Sequence, residues 1–205
     1  MSHFSAPRAT LLAAVLATTT LLGACAPLVL GGAVVGGVLS YTDRRTPGTQ
    51  VEDESIEFKA ANRIRQVLGE RGHVNTTSYN RSVLITGEVP AEADRDAVNQ
   101  AVAGIENVRA TVNELAVMGA TSLTARSNDT ILTSKVKARY IDAGDLQSNT
   151  LKVVTERSTV YLLGRVTERE AGRATELARG VDGVAKVVRV FEVISEAELA
   201  RLQQK

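Results

Sequence analysis

The 205-residue chain has one cysteine, two histidines and no tryptophan, and aromatic residues make up only 3% of it. A single cysteine excludes an internal disulfide framework and any multi-cysteine metal site. His3 and His73 are too few for a histidine-based metal centre. Tyr41, Tyr79, Tyr140 and Tyr161 are too scattered to form a stacking platform for bases. Excess charge of one sign is also lacking. The formal net charge is +1, which argues against a nucleic-acid partner held by bulk electrostatics. What the chain does have is an ordinary apolar share, 44%, enough for a folded core and too much for wholesale disorder.

The N-terminus reads as a targeting segment. Arg8 is followed by no charged residue until Asp43, and Leu11 to Leu22 is an apolar run interrupted only by Thr18, Thr19 and Thr20. Leu22-Gly23-Ala24-Cys25 comes next, placing the sole cysteine where a small-residue cleavage site would expose it. This tetrapeptide resembles the lipobox of bacterial lipoproteins. The resemblance implies diacylglyceryl transfer to Cys25, removal of residues 1–24 and N-acylation of the new terminus. Ala26 after the cysteine, where aspartate commonly retains lipoproteins in the inner membrane, implies the outer membrane. The competing account is a transmembrane helix over 9–39, against which stand Pro27 and the glycines at 31, 32, 36 and 37. Residues 25–50 read as a lipidated tether. Gly31 to Gly37 follows no strand and lacks the lysine of a phosphate loop.

An internal repeat organises the rest. Ser82-Val83-Leu84-Ile85-Thr86-Gly87-Glu88-Val89 is echoed by Thr159-Val160-Tyr161-Leu162-Leu163-Gly164-Arg165-Val166 at an offset of 77. Gly104-Ile105-Glu106-Asn107-Val108 is echoed by Gly180-Val181-Asp182-Gly183-Val184 at an offset of 76. The copies read as tandem domains over 51–119 and 126–194, with a C-terminal helix over 195–205. In the first, Ile56, Ala60, Ile64, Val67 and Leu68 recur at helical spacing up to Gly72. Strands over 73–79 and 82–89 flank a turn at Asn80-Arg81. Val83, Ile85 and Val89 alternate as in a strand buried on one face. Pro90 opens a helix that Gly104 ends. A last strand holds Val108, Val112, Leu115 and Val117. In the second copy Asn128 or Asp129 caps a helix carrying Leu132, Val136 and Tyr140. Strands follow over 150–156 and 159–166. Thr167-Glu168-Arg169-Glu170 is a capping box, Gly180 ends the helix, and the last strand covers 184–193. The fold class is α+β: two αββαβ units, each with two helices on one face of a three-stranded mixed sheet. Gly87 and Gly164 lie inside strands, which a helix packed tightly over the strand explains better than a ligand does.

This order resembles the BON family of small envelope modules. Gly48-Thr49-Gln50-Val51, Ser127-Asn128-Asp129-Thr130 and Val166-Thr167-Glu168-Arg169-Glu170-Ala171 carry the resemblance. It implies binding of anionic phospholipid, mainly through the second domain, and a role in envelope integrity.

The charges point the same way on their own. Segment 51–119 holds 7 basic and 11 acidic residues, whereas 126–205 holds 14 and 11. The second domain is therefore the candidate for an anionic membrane surface, through Lys135, Lys137 and Arg139 beside Ile131 and Ile141. In the family's lipid-binding relatives an aromatic residue stands in place of Ile131. The competing account makes Ile131 core and the three cations a solvated face. No catalytic constellation is evident, so the chain reads as no enzyme, and no cofactor or metal ligand set is assigned. His73 has no partner in a recognisable motif, and the acids Glu52, Asp53, Glu54 and Glu57 suit a helix N-terminus. The sequence thus predicts an outer-membrane lipoprotein, lipid-anchored and facing the periplasm. A periplasmic chaperone-like or scaffold protein binding envelope proteins is the alternative. The partners expected are an anionic phospholipid membrane and, beside it, proteins of outer-membrane assembly or cell-wall remodelling. The tail helix is expected either to pack on the second domain or to bind a partner.

Overall fold

The computed structural model describes residues 43–203, so the expected signal, the Cys25 lipidation site and most of the tether lie outside the described residues. The first module runs α1 (Pro47–Leu68), β1 (His73–Tyr79), β2 (Ser82–Val89), α2 (Glu92–Ala103), then β3 (Ala110–Asn113) and β4 (Ala116–Val117). The second runs α3 (Leu123–Ala143), β5 (Leu151–Glu156), β6 (Thr159–Val166), α4 (Glu168–Arg179) and β7 (Lys186–Val193), and α5 (Glu196–Gln203) follows. In each sheet the hairpin strands pair antiparallel and the last strand joins the central one in parallel. The third strand of the first sheet is broken into β3 and β4, both paired with β2.

Each module has its own helix-side core. Val83, Ile85 and Val89 of β2 pack with Ile56, Ala60 and Ile64 of α1 and with Val98 and Val102 of α2. Val160, Leu162 and Val166 of β6 pack with Val136 and Tyr140 of α3 and with Ala174 and Ala178 of α4. The opposite faces meet each other: Tyr79 and Leu84 pack against Tyr161 and Leu163. The layers are therefore helices, sheet, sheet, helices. This corrects the expected one-sided burial of the central strands. Leu84, Thr86 and Glu88 are as buried as Val83 and Ile85, because a second sheet covers what would otherwise be a solvent face.

The repeat extends to a feature that local periodicity hides. Asp53 accepts hydrogen bonds from the Asn80 and Arg81 amides, both at 2.8 Å. Asp129 does the same for Arg157 and Ser158, again at 2.8 Å. Those four donors sit at positive φ in two-residue hairpin turns, and none is glycine. Each aspartate thus offsets the strain of a left-handed turn by satisfying both of its amides. Burial opposes ionisation of Asp53. The Ser78 hydroxyl, the two turn amides and Arg45 outweigh it and hold the carboxyl below its usual range. Neither residue is the helix-terminal group expected: Thr46 caps α1 and Ser122 caps α3. α1 therefore begins at Pro47, inside the stretch assigned to the tether, and α3 begins six residues before Asp129. Ala91 occupies the N-cap of α2, so Pro90 precedes that helix rather than opening it. Thr167 and Glu170 do form the capping box.

The strand glycines also have a cause other than the expected one. A Cβ on Gly87, at φ +117°, would stand 2.0 Å from the His73 carbonyl oxygen, and one on Gly164 would stand 2.7 Å from that of Thr150. The neighbouring chain, not an overlying helix, demands glycine at both places. The tail helix α5 docks on the second module by burying Leu199 and through a 2.8 Å Arg165–Glu198 ion pair.

The segment entering α1 is pinned to the second module. Arg44 donates from Nη1 and Nη2 to the two Glu170 oxygens, each at 2.7 Å, and from Nη1 to the Arg165 carbonyl at 2.7 Å. Both side chains are buried. Burial disfavours the ionised Glu170, but the Arg44 guanidinium and the Thr167 amide prevail and keep its carboxyl below the usual glutamate range. Arg44→Ala is expected to cost about 2 kcal/mol, less than for a fully orphaned buried charge because Glu170 retains the Thr167 amide. A depressed carboxyl stabilises the fold above its unfolded pKa of 4.5 and loses that contribution as pH falls through the lower folded value. The gap between wild type and variant in urea midpoints should therefore be full at pH 7 and close below about pH 4.5.

Candidate functional site

The outer surface of α3 carries the residues in question. Leu132, Val136 and Tyr140 face the core, and Asp129 is held by the hairpin turn. The α-helical turn of about 100° per residue then leaves a broad outer face. Ile131 is 53% exposed and Ile141 67% exposed, while Lys135, Lys137 and Arg139 are all exposed. Ile131 is thus no core residue. Among the described residues none of the three cations is held in an ion pair. Leu123 at the start of the same helix is 78% exposed.

The three cations do not form one edge, as their closeness in sequence suggests. Residues two apart lie about 200° apart round a helix. Ile131, Lys135 and Arg139 make one row, and Lys137 with Ile141 lies on the other flank. Between the rows stand Ser134 and Ala138, small enough to let the helix approach a surface closely. Asp142, the one exposed acid of α3, lies at its C-terminal end. Long cations flanking a small and apolar strip can keep their ammonium or guanidinium groups among headgroups while their stems lie along the apolar boundary.

A groove of about 220 Å³ adjoins the Lys137 flank, lined by Lys137, Tyr140, Ile141, Ser148, Asn149 and Leu151. Its walls come from the end of α3, a 3₁₀ turn (Ser148–Thr150) and the start of β5. One wall is cationic, one offers hydroxyl and amide groups, and the floor is apolar. Ser148 and Asn149 lie in a loop with no periodic signal, so sequence reasoning misses them. The Ser-Asn-Thr run is the only hint of the turn that positions them.

Among the described residues no helix is long and apolar enough to cross a membrane. The family model described as "BON domain" matches residues 53–119 and 128–195. The chain is 38% identical over 186 residues to the outer membrane lipoprotein DolP of Haemophilus influenzae, covering 89% of this chain and 95% of that protein. It is 30% identical to the 21 kDa hemolysin of Actinobacillus pleuropneumoniae, covering 74% and 79% of the two chains. To the osmotically-inducible protein Y of Escherichia coli it is 26% identical, covering 68% and 72%. Both the repeated αββαβ units and the family match over both of them say the same thing: this chain belongs to the BON-domain family, with two copies of the module in tandem.

Proposed function

We propose that this chain is a non-enzymatic outer-membrane lipoprotein, acylated at Cys25 and facing the periplasm, that binds anionic phospholipid through the outer face of α3 and supports envelope integrity. The exposure of Ile131 and Ile141 among three cations held in no ion pair carries the reading. Similarity to a protein named as an outer membrane lipoprotein supports the location. Each cation near an anionic surface contributes on the order of 1 kcal/mol, so the three alone hold the module weakly. The acyl anchor raises the local concentration of bilayer and turns weak contact into steady contact. Lys137, Ser148 and Asn149 suit the phosphate and hydroxyl groups of a headgroup at the groove.

The test uses the unacylated chain from Ala26 to Lys205 and phosphatidylglycerol vesicles. Replacing Lys135, Lys137 and Arg139 together by Glu is expected to weaken binding at least about 100-fold, since three attractions of about 1 kcal/mol become repulsions. Ile131→Asp should weaken it further while leaving the melting temperature unchanged. Wild-type affinity in the triple variant would refute the mechanism.

A second reading, a chaperone-like or scaffold role towards proteins of outer-membrane assembly or cell-wall remodelling, has its own observation. Val51 and Phe58 of α1 are 67% and 72% exposed on a helix that also carries Glu52, Glu54 and Glu57. An apolar pair among acids does not suit an anionic bilayer and suits a protein partner better. Suppressed aggregation of unfolded outer-membrane proteins, lost in Phe58→Asp, is the result that reading predicts.

A further inference from the structure

Three ligand-type side chains converge at the seam between the two modules. His73 opens β1 and Glu88 stands opposite it on β2, so antiparallel pairing puts both on one face. Glu156 closes β5 of the second module. One donor atom from each lies within 4.8 Å of the other two, and His73 Nδ1 is 3.7 Å from Glu88 Oε2. Glu88 is fully enclosed and Glu156 is only 4% exposed.

The protein groups around them leave this arrangement incomplete. Thr121 donates its amide to Glu88 Oε2 at 3.2 Å and its hydroxyl to Oε1. Asn75 Nδ2 donates to Glu156 Oε2 at 3.2 Å. These donors are neutral. Arg157 Nη1, 4.0 Å from Glu88 Oε1, is the one side-chain cation within ion-pair range among the described residues. His73 Nδ1 is buried and has no hydrogen-bond partner. Two carboxylates and an unpartnered imidazole nitrogen at this depth call for a further positive charge. A cleft of about 230 Å³, lined by His73, Glu156, Asn75, Arg126, Asp129 and Thr133, opens onto the cluster and offers an entry path with room for water.

We propose that His73 Nδ1 and the carboxylates of Glu88 and Glu156 bind a divalent transition-metal ion of the zinc class, completed by water from the cleft and joining the two modules. One imidazole nitrogen with two carboxylates matches the borderline character of zinc, whereas calcium and magnesium take all-oxygen sets. Tetrahedral ligands at 2.0–2.2 Å from zinc lie about 3.4 Å apart. The observed separations, 3.7 Å between His73 and Glu88 and within 4.8 Å for the other pairs, lie close above that value. Arg126 lines the cleft and Arg157 stands 4.0 Å from Glu88, and both cations oppose the incoming charge, so the site suits an ion that exchanges.

The test takes the full mature lipidated chain in detergent, stripped by a chelator and titrated with zinc chloride, with calcium chloride as control. Zinc is expected to bind one per chain with micromolar affinity or better at pH 7 and, near saturation, to raise the melting temperature by about 5 °C. Calcium should do neither. His73→Gln and Glu156→Gln should each lower zinc affinity at least about tenfold. Cobalt should give a ligand-field band in the wild type that His73→Gln abolishes. His73 is the only histidine between residues 25 and 205, so in the wild type its imidazole resonances report directly on the ion, whether or not the variants fold. Failure of zinc to shift those resonances, or equal zinc affinity in both variants and the wild type, would overturn the proposal.

Discussion

Leu163→Asp is expected to abolish cooperative folding of the whole chain, not of the second module alone. Leu163 is fully buried and belongs to the cluster where Tyr79 and Leu84 of one sheet meet Tyr161 of the other. Tyr161 also donates from its hydroxyl to Glu114 Oε2 across the seam at 3.4 Å. A carboxyl at that point must either lose its hydration or force the sheets apart. The cost exceeds about 5 kcal/mol, comparable with the entire stability of many small domains. Leu163→Ala, which leaves a cavity without a charge, should cost about 2–5 kcal/mol. Urea unfolding followed by far-UV circular dichroism separates the outcomes. A single transition lost in Leu163→Asp and merely shifted in Leu163→Ala fits the layered core. If Leu163→Asp kept the wild-type midpoint, the back-to-back sheets would be wrong.

Gly87→Val has the second largest expected effect, at least about 3 kcal/mol. Two penalties coincide there. The backbone at φ +117° is one that side chains rarely accept, and the added Cβ would meet the His73 carbonyl oxygen at 2.0 Å. Relief requires β1 to leave β2, which would also move His73 away from Glu88. Thermal unfolding is expected to show the loss, and the β1 amides in the first module should lose hydrogen-exchange protection before those of β5. Equal protection of both strands in Gly87→Val would contradict this account. Gly164→Val at the equivalent strand position meets Thr150 at 2.7 Å without the positive φ, so its cost should be smaller.

Much of the architecture is legible in the residues. The strand limits at 73–79, 82–89 and 159–166 follow from period-two patterning between turn residues, and these agree with the observed elements. The capping box at Thr167 and the stop at Gly180 act within one turn of chain, where sequence and structure correspond most closely. What escapes is set by contacts distant in sequence. Leu84 and Thr86 look like the solvent side of a strand until a second sheet covers them. Asp53 and Asp129 resemble helix-terminal acids because the amides they satisfy lie 27 to 29 residues away. Thr46-Pro47 does carry a start signal, a capping hydroxyl before a first-turn proline, yet the apolar repeat begins only at Ile56. At the candidate lipid face, the exposure of Ile131 follows from the four-residue spacing of Leu132, Val136 and Tyr140. The division of the cations between two flanks also follows from helical geometry, though their proximity in sequence conceals it. His73 shows no companion in sequence because Glu88 reaches it by strand pairing and Glu156 by docking of the modules.

The interruption between β3 and β4 bears on molecules crowded side by side. On that border the first sheet presents runs of only four and two residues, separated at Glu114 and Leu115. A strand from another copy would find too short a ladder there to template growth. The matching border of the second sheet, β7, is eight residues long, but Lys186, Arg189 and Glu192 punctuate it with charge. The two modules thus blunt their open rims by different means, one by discontinuity and one by polarity, and both guard against accretion into fibres.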